Sequence, residues 1–245
     1  MIKKLILIIL FSSSLFAGVI NIAVAANVSY AMDELIKEFN RENPDIKVKV
    51  VLGSSGKLTA LIKNGAPYAL FMSANMNYPQ ALYDEGIATT KPIVYAQGSL
   101  AYFSSKNRDF SKGMNLLQSP TIKKIAVANP LTAPYGKATI EAIKSRGIYE
   151  KVVKKFVYAE GISQTVSYAV TTTDMGIIAK SSLFSPRMIR FKKGINWVEV
   201  NPKLYTPIDQ GIVILKDSIA VRAFYTFMLS NKAKKILKDF GYIVL

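Results

Sequence analysis

Short apolar runs alternate along this chain with segments whose apolar residues recur every three or four positions. That alternation restricts the possible folds more than any other feature of the sequence. Residues 19–25 read as a strand, after which Ala31, Met32, Leu35, Ile36 and Phe39 fall on one helical face. Ile46, Val48, Val50 and Leu52 then alternate in a strand that ends at Gly53. Leu58, Leu61 and Ile62 mark a short helix stopped by Asn64, Gly65, Ala66 and Pro67. Residues 70–72 form a buried strand, and a helix over 79–85 closes at Gly86. The scheme resumes with strands over 99–104, 125–128, 156–158, 176–179, 197–200 and 211–215. Helices are predicted over 137–146, 163–171, 218–229 and 231–240. Such alternation implies α/β architecture, with mainly parallel sheets flanked by helices. No linker rich in Gly, Ser or Pro divides the chain. Two extended stretches, 91–98 and 202–211, are the candidate crossings between two halves.

The start of the chain carries a different signal. Lys3 and Lys4 precede an apolar run over 5–11, then Ser12, Ser13, Ser14, Leu15, Phe16 and the small residue Ala17. A basic tip, a short apolar core and a small residue at the cleavage point describe a secretory signal peptide over 1–17. The run is too short to span a bilayer comfortably. The expected mature chain is therefore exported and soluble.

Composition removes whole classes of chemistry. With no cysteine and no histidine among 245 residues, disulfides, thiolate metal sites, Ser-His or Cys-His catalysis and histidine-ligated metals are excluded. Lys and Arg number 32 against 16 Asp and Glu, a net charge of +16 that falls to +14 without Lys3 and Lys4. Such an excess attracts anions. The lysine pairs 123–124, 154–155, 192–193 and 234–235 fall in different elements with acids between them, which describes a solvated surface rather than a nucleic-acid face.

Four times, a strand or loop ends in small or hydroxyl residues just before a helix. These are Ala25-Ala26-Asn27-Val28-Ser29, Gly53-Ser54-Ser55-Gly56-Lys57, Ala133-Pro134-Tyr135-Gly136 and Glu160-Gly161-Ile162-Ser163. A helix start presents unpaired N–H groups and partial positive charge, so it can hold an anion without a charged side chain. In open α/β sheets these starts lie at the carboxyl edge of the strands, where ligands bind. Each segment alone reads as an ordinary N-cap. The serine loop is not a Walker loop, because the G-x-x-x-x-G-K-[ST] spacing is missing. Lys57 reads as a solvated helix lysine.

These segments also carry a family resemblance. Together with Ile62-Lys63-Asn64-Gly65-Ala66-Pro67-Tyr68, Phe71-Met72-Ser73-Ala74, Ala128-Asn129-Pro130, Asp174-Met175-Gly176-Ile177 and the closing Phe240-Gly241-Tyr242, the sequence resembles the periplasmic molybdate-binding proteins of ABC transporters. The most specific stretch is Asn64-Gly65-Ala66-Pro67 followed by Phe71, Ser73 and Ala74. The resemblance implies a two-lobed periplasmic-binding-protein fold that closes over molybdate or tungstate and delivers it to an ABC permease. It implies a monomer without enzymatic activity or cofactor, with lobes over 18–95 plus 207–245 and over 96–206. Carried over position by position, the first-lobe ligands fall on Asn27 and Ser55, and second-lobe backbone donors on Tyr135 and Ile162. Ser54, Ser163 and Ala179 are possible additions. Many relatives have serine or threonine where this chain has Asn27. Some offer a tyrosine hydroxyl at the position matching Ala179, whose methyl cannot donate.

Other functions require features the chain lacks. Hydrolysis would rest on a carboxylate pair or a Ser-Lys arrangement. Of Asp33, Glu34, Asp84, Glu85, Glu160, Asp174 and Asp209, all but Glu160 and Asp209 read as solvated helix surface. A ferric-ion carrier of the same architecture would cluster tyrosines with carboxylates, whereas Tyr68, Tyr78 and Tyr83 are spaced like core or surface aromatics. A sulfate-type oxyanion carrier is the remaining alternative within the same fold.

Overall fold

The computed structural model describes residues 18–244; the expected signal peptide lies outside the described residues. In chain order the elements are β1 (Gly18–Ala25), α1 (Ser29–Asn40), β2 (Ile46–Gly53), α2 (Ser55–Lys63), β3 (Leu70–Ser73), α3 (Asn77–Asp84), β4 (Ile93–Gly98) and β5 (Leu100–Phe103). There follow β6 (Ile125–Ala128), α4 (Pro134–Ser145), α5 (Tyr149–Val152), β7 (Phe156–Ala159), α6 (Ile162–Thr171), β8 (Met175–Ala179), β9 (Trp197–Glu199), β10 (Ile208–Ile214), α7 (Ile219–Met228) and α8 (Asn231–Asp239). Among the described residues no helix is long and apolar enough to cross a membrane.

The strands form two five-stranded sheets, ordered β2-β1-β3-β10-β4 and β7-β6-β8-β5-β9. In the first, β1 runs parallel to β2 and β3, while β10 is antiparallel to both β3 and β4. In the second, β6 runs parallel to β7 and β8, while β5 is antiparallel to both β8 and β9. One strand in each sheet is thus reversed, and it is the strand the chain enters on crossing from the other sheet. The α/β architecture expected from the alternation and the two lobes that the resemblance implies are present, with both sheets mixed rather than mainly parallel. The stretch 91–98, expected as an extended crossing, supplies β4, the last strand of the first sheet; Tyr95 and Ala96 are buried within it. The stretch 202–211 carries a 3₁₀ turn, Pro202–Leu204, and the start of β10.

Both faces of the central strands are covered, which explains their continuous apolar sequences. In β1, Ile20, Ile22 and Val24 face Leu35, Phe39, Phe224 and Leu237 of α1, α7 and α8. Ala23 points the other way, toward Leu58, Ile62 and Leu82 of α2 and α3. The strict alternation of β2 reflects its place at an edge: Ile46 is buried and Val48 and Val50 half-buried, while Lys47 and Lys49 reach solvent. Leu52, expected to continue the inward set, is half exposed. Helix α4 begins at Pro134, three residues before the periodicity suggests. Proline suits the first helical turn because the missing N–H would be unpaired there anyway.

Candidate functional site

Three helices begin in the gap between the sheets, each just beyond a strand's carboxyl end: α2 after β2, α4 after β6 and α6 after β7. The N–H groups of a helix's first turn have no carbonyl one turn earlier to receive them. Ser55 and Ile162 hold the first helical positions of α2 and α6, and Tyr135 the second position of α4. A 3₁₀ turn, Ala26–Val28, follows β1 into the same gap. These segments surround a small void of about 10 Å³ lined by Ala25, Ala26, Asn27, Gly53, Ser54, Ser55, Ala74, Ala133, Pro134, Tyr135 and Ile162. None of the lining residues is charged.

The side chains divide by what they already do. Ser55 is 1% exposed, and its Oγ accepts the Ala74 N–H at 2.9 Å, which leaves the hydroxyl proton to donate elsewhere. Ser54 Oγ is buried and has no hydrogen-bond partner among the described residues. Asn27 is 1% exposed, but both amide hydrogens are engaged within the first lobe. Its Nδ2 donates to Gln210 Oε1 and to the Tyr242 hydroxyl, each at 2.8 Å. Its Oδ1 has no partner among the described residues. The amide is therefore a brace for the turn, and the donor that this segment can offer an anion is main-chain N–H.

Two further candidates lie apart from the void's lining. Ser163 donates its hydroxyl to the Ala26 carbonyl at 3.1 Å, so it ties the lobes together. Ala179 is fully buried in β8, paired with Leu100, and does not line the void. Gln210 and Ser181 are residues that the sequence did not single out, and Ala74 and Tyr242 carry the resemblance there without a role at the site. Tyr242 donates to the Asn27 carbonyl at 2.8 Å, and Ser181 donates to the same oxygen at 3.0 Å. The Gly56 N–H donates to the Thr132 carbonyl at 3.0 Å, a further bond between lobes. The lobes are in contact around the void, not apart.

Glycine is required where α4 approaches its strand. A Cβ on Gly136 would stand 2.3 Å from the Ala128 carbonyl oxygen, so only glycine lets the start of α4 lie against the end of β6. Gly98 plays a similar part for Tyr135, whose hydroxyl would meet a Cβ there at 2.0 Å.

Tyr135, which lines the void, belongs to a cluster of buried phenols with Tyr95 and Tyr242. Burial pushes the Tyr242 hydroxyl up to about 12, against the pull of its hydrogen bonds to Ser181 and Asn27. Burial also raises Tyr95 and Tyr135 well above the ordinary tyrosine range, reinforced by neighbouring phenols. The unfolded chain loses these protons near pH 10 while the folded chain retains them, so the fold keeps full stability below pH 10 and loses it as pH climbs toward 12. For Tyr242 alone the loss is on the order of 3 kcal/mol, from two pH units at roughly 1.4 kcal/mol each. Urea unfolding at pH 8, 10 and 11 tests this. Tyr242→Phe is expected to flatten the alkaline slope; an unchanged slope contradicts the assignment.

With this geometry in view, residues 20–243 match the family described as bacterial extracellular solute-binding protein. The chain is 31% identical to the molybdate-binding protein ModA of Azotobacter vinelandii, over 92% of this chain and 90% of that one. It is 33% identical to the molybdate-binding protein ModA of Rhodobacter capsulatus, over 93% and 89%. Its structure superimposes on the Azotobacter vinelandii periplasmic molybdate-binding protein with a TM-score of 0.85 at 28% identity, covering 92% of this chain and 99% of the other.

Proposed function

The chain belongs to the molybdate-binding proteins among the bacterial extracellular solute-binding proteins, and we propose that it captures molybdate, and tungstate with it, for delivery to an ABC permease. The observation that carries the reading is the convergence of three helix starts, from both halves of the chain, on a void without charged side chains. Partial positive charge from the helix ends offsets a dianion, and N–H groups and hydroxyls meet its oxygens. Ser55, through its hydroxyl and N–H, and the main-chain N–H groups of Asn27, Tyr135 and Ile162 are the assigned donors; Ser54 Oγ is a further one. The chain acts as a monomeric binder rather than an enzyme, exported by a signal peptide over 1–17. Its lobes run over 18–95 plus 207–245 and over 96–206.

Selection follows from size and protonation. Sulfate is smaller than molybdate, so the same donors stand too far from its oxygens. Phosphate at neutral pH keeps at least one proton, and a site made only of donors leaves that O–H unpaired. Titration calorimetry with molybdate, tungstate, sulfate and phosphate is expected to give binding for the first two only. Equal heats for sulfate and molybdate overturn the reading. Small-angle scattering complements it: donors from both lobes require closure, so the radius of gyration falls when molybdate is added to ligand-free protein. An unchanged radius counts against closure.

A further inference from the structure

One ion pair bridges the two lobes at the edge of the void. Lys57, in the first turn of α2, reaches Glu160, the residue before the N-cap of α6, with Nζ and Oε1 2.5 Å apart. The pair joins positions 103 residues apart, and both partners are more than half exposed. Glu160 is itself held, because its N–H donates to Gln164 Oε1 at 2.7 Å. Lys57 and Glu160 line an open hollow of about 230 Å³ together with Ala26, Gly53 and Ser54. Those three residues also line the void, so the hollow is its antechamber.

From this placement we infer that Lys57 and Glu160 form a latch across the mouth of the cleft, a positioning pair that slows opening and anion release without touching the anion. The inference rests on the oxyanion reading for its ligand, but the latch itself is a statement about the lobes. Lys57 and Glu160 also cancel each other's charge at the entrance. Removing one leaves the other to act on an approaching dianion, with opposite signs for the two residues. Both removals weaken the latch, so both quicken release. An exposed pair has a modest effect, which corresponds to about a two- to fivefold rise in the release rate.

The test compares wild type with Lys57→Met, Glu160→Gln and the charge-swapped double variant Lys57→Glu/Glu160→Lys. Stopped-flow kinetics with molybdate at low salt give both rate constants. The expected result is faster release in each single variant, with association slowed by Lys57→Met and quickened by Glu160→Gln. The swapped pair is expected to recover slow release, and the differences to shrink in 1 M salt, where screening acts over about 3 Å. A merely structural role for either residue would not give opposite association effects or recovery on swapping. Release rates unchanged in both single variants at low salt overturn the latch.

A second readout needs no ligand. Because the chain has no cysteine, labels placed through Lys47→Cys and Lys154→Cys report the distance between lobes. Wider or longer distances in both single variants support the latch, and identical distributions reject it. If wild-type protein binds no oxyanion, the oxyanion reading fails, and these distances alone decide the latch.

Discussion

Gly136→Ala is expected to lower stability and oxyanion affinity together, the largest effect of any single change considered for this protein. The added Cβ would stand 2.3 Å from the Ala128 carbonyl oxygen, 2.8 Å from the Ala128 carbonyl carbon and 2.9 Å from that of Asn129. All three obstacles are backbone, at the end of the buried strand β6, so no side chain can turn aside. Relief requires α4 to move away at its first turn, which carries the Tyr135 N–H out of register with the other donors. Overpacking at such a site costs roughly 3 kcal/mol, the upper end of the usual range. In a chain of this length that lowers the melting temperature by about 6–12 °C. Molybdate affinity is expected to fall more than tenfold. Gly161→Ala serves as the control. Its φ of −160° is extended backbone open to any residue, and the nearest atom to its added Cβ, the Ser54 Cβ at 3.6 Å, is in ordinary contact. Calorimetry and thermal melts of both variants decide the matter; intact binding by Gly136→Ala contradicts the placement of the Tyr135 donor.

Ser55→Ala is expected to leave the fold standing while weakening molybdate binding about tenfold to hundredfold, the equivalent of roughly 1.5–3 kcal/mol for a hydrogen bond to a charged group. The serine's Oγ already accepts from Ala74, which leaves its proton free to be donated to the anion. The substitution also leaves the Ala74 N–H without its partner, so a modest fall in melting temperature accompanies the loss. Ser55→Thr restores the hydroxyl and is expected to recover stability and affinity together. Full affinity in Ser55→Ala would remove its hydroxyl from the donor set.

Asn27 shows how far the sequence could be read. The resemblance puts a first-lobe ligand at Asn27, and a side-chain amide N–H₂ is a donor an anion can use. In the structure Gln210 and Tyr242, 183 and 215 residues away, take both amide hydrogens. No local pattern announces either partner: Gln210 lies within a strand, and Tyr242 near the end of the chain looks like an aromatic of the terminal core. Asn27→Ala is accordingly expected to act by loosening the turn that holds its own N–H, and Tyr242→Phe to share that effect in part. Lys57 is a similar case. Its place on a helix reads as that of a solvated lysine, and its exposure agrees, but its partner Glu160 lies in the other lobe.

What the sequence determined by itself is whatever twelve or so neighbouring residues can encode. Apolar period two or three to four placed most strands and helices within a few residues, but not β4, which lies in the stretch expected as a crossing, nor the short α5. Proline and small residues marked the helix starts, and strand–helix alternation implied α/β sheets. The helix starts at Ser55, Tyr135 and Ile162 belong to that local code, because a helix end exposes its N–H groups whatever surrounds it. Only the tertiary structure decided how the side chains between those starts are used. It turned the Asn27 amide inward, buried Ala179 in β8, committed Ser163 to the Ala26 carbonyl and placed Ser54 and Ser55 in the lining of the void, with Ser54 Oγ unpartnered among the described residues. The physical reason is that a buried polar group takes whichever partner the packed chain brings within about 3 Å, and here those partners come from segments up to 215 residues apart.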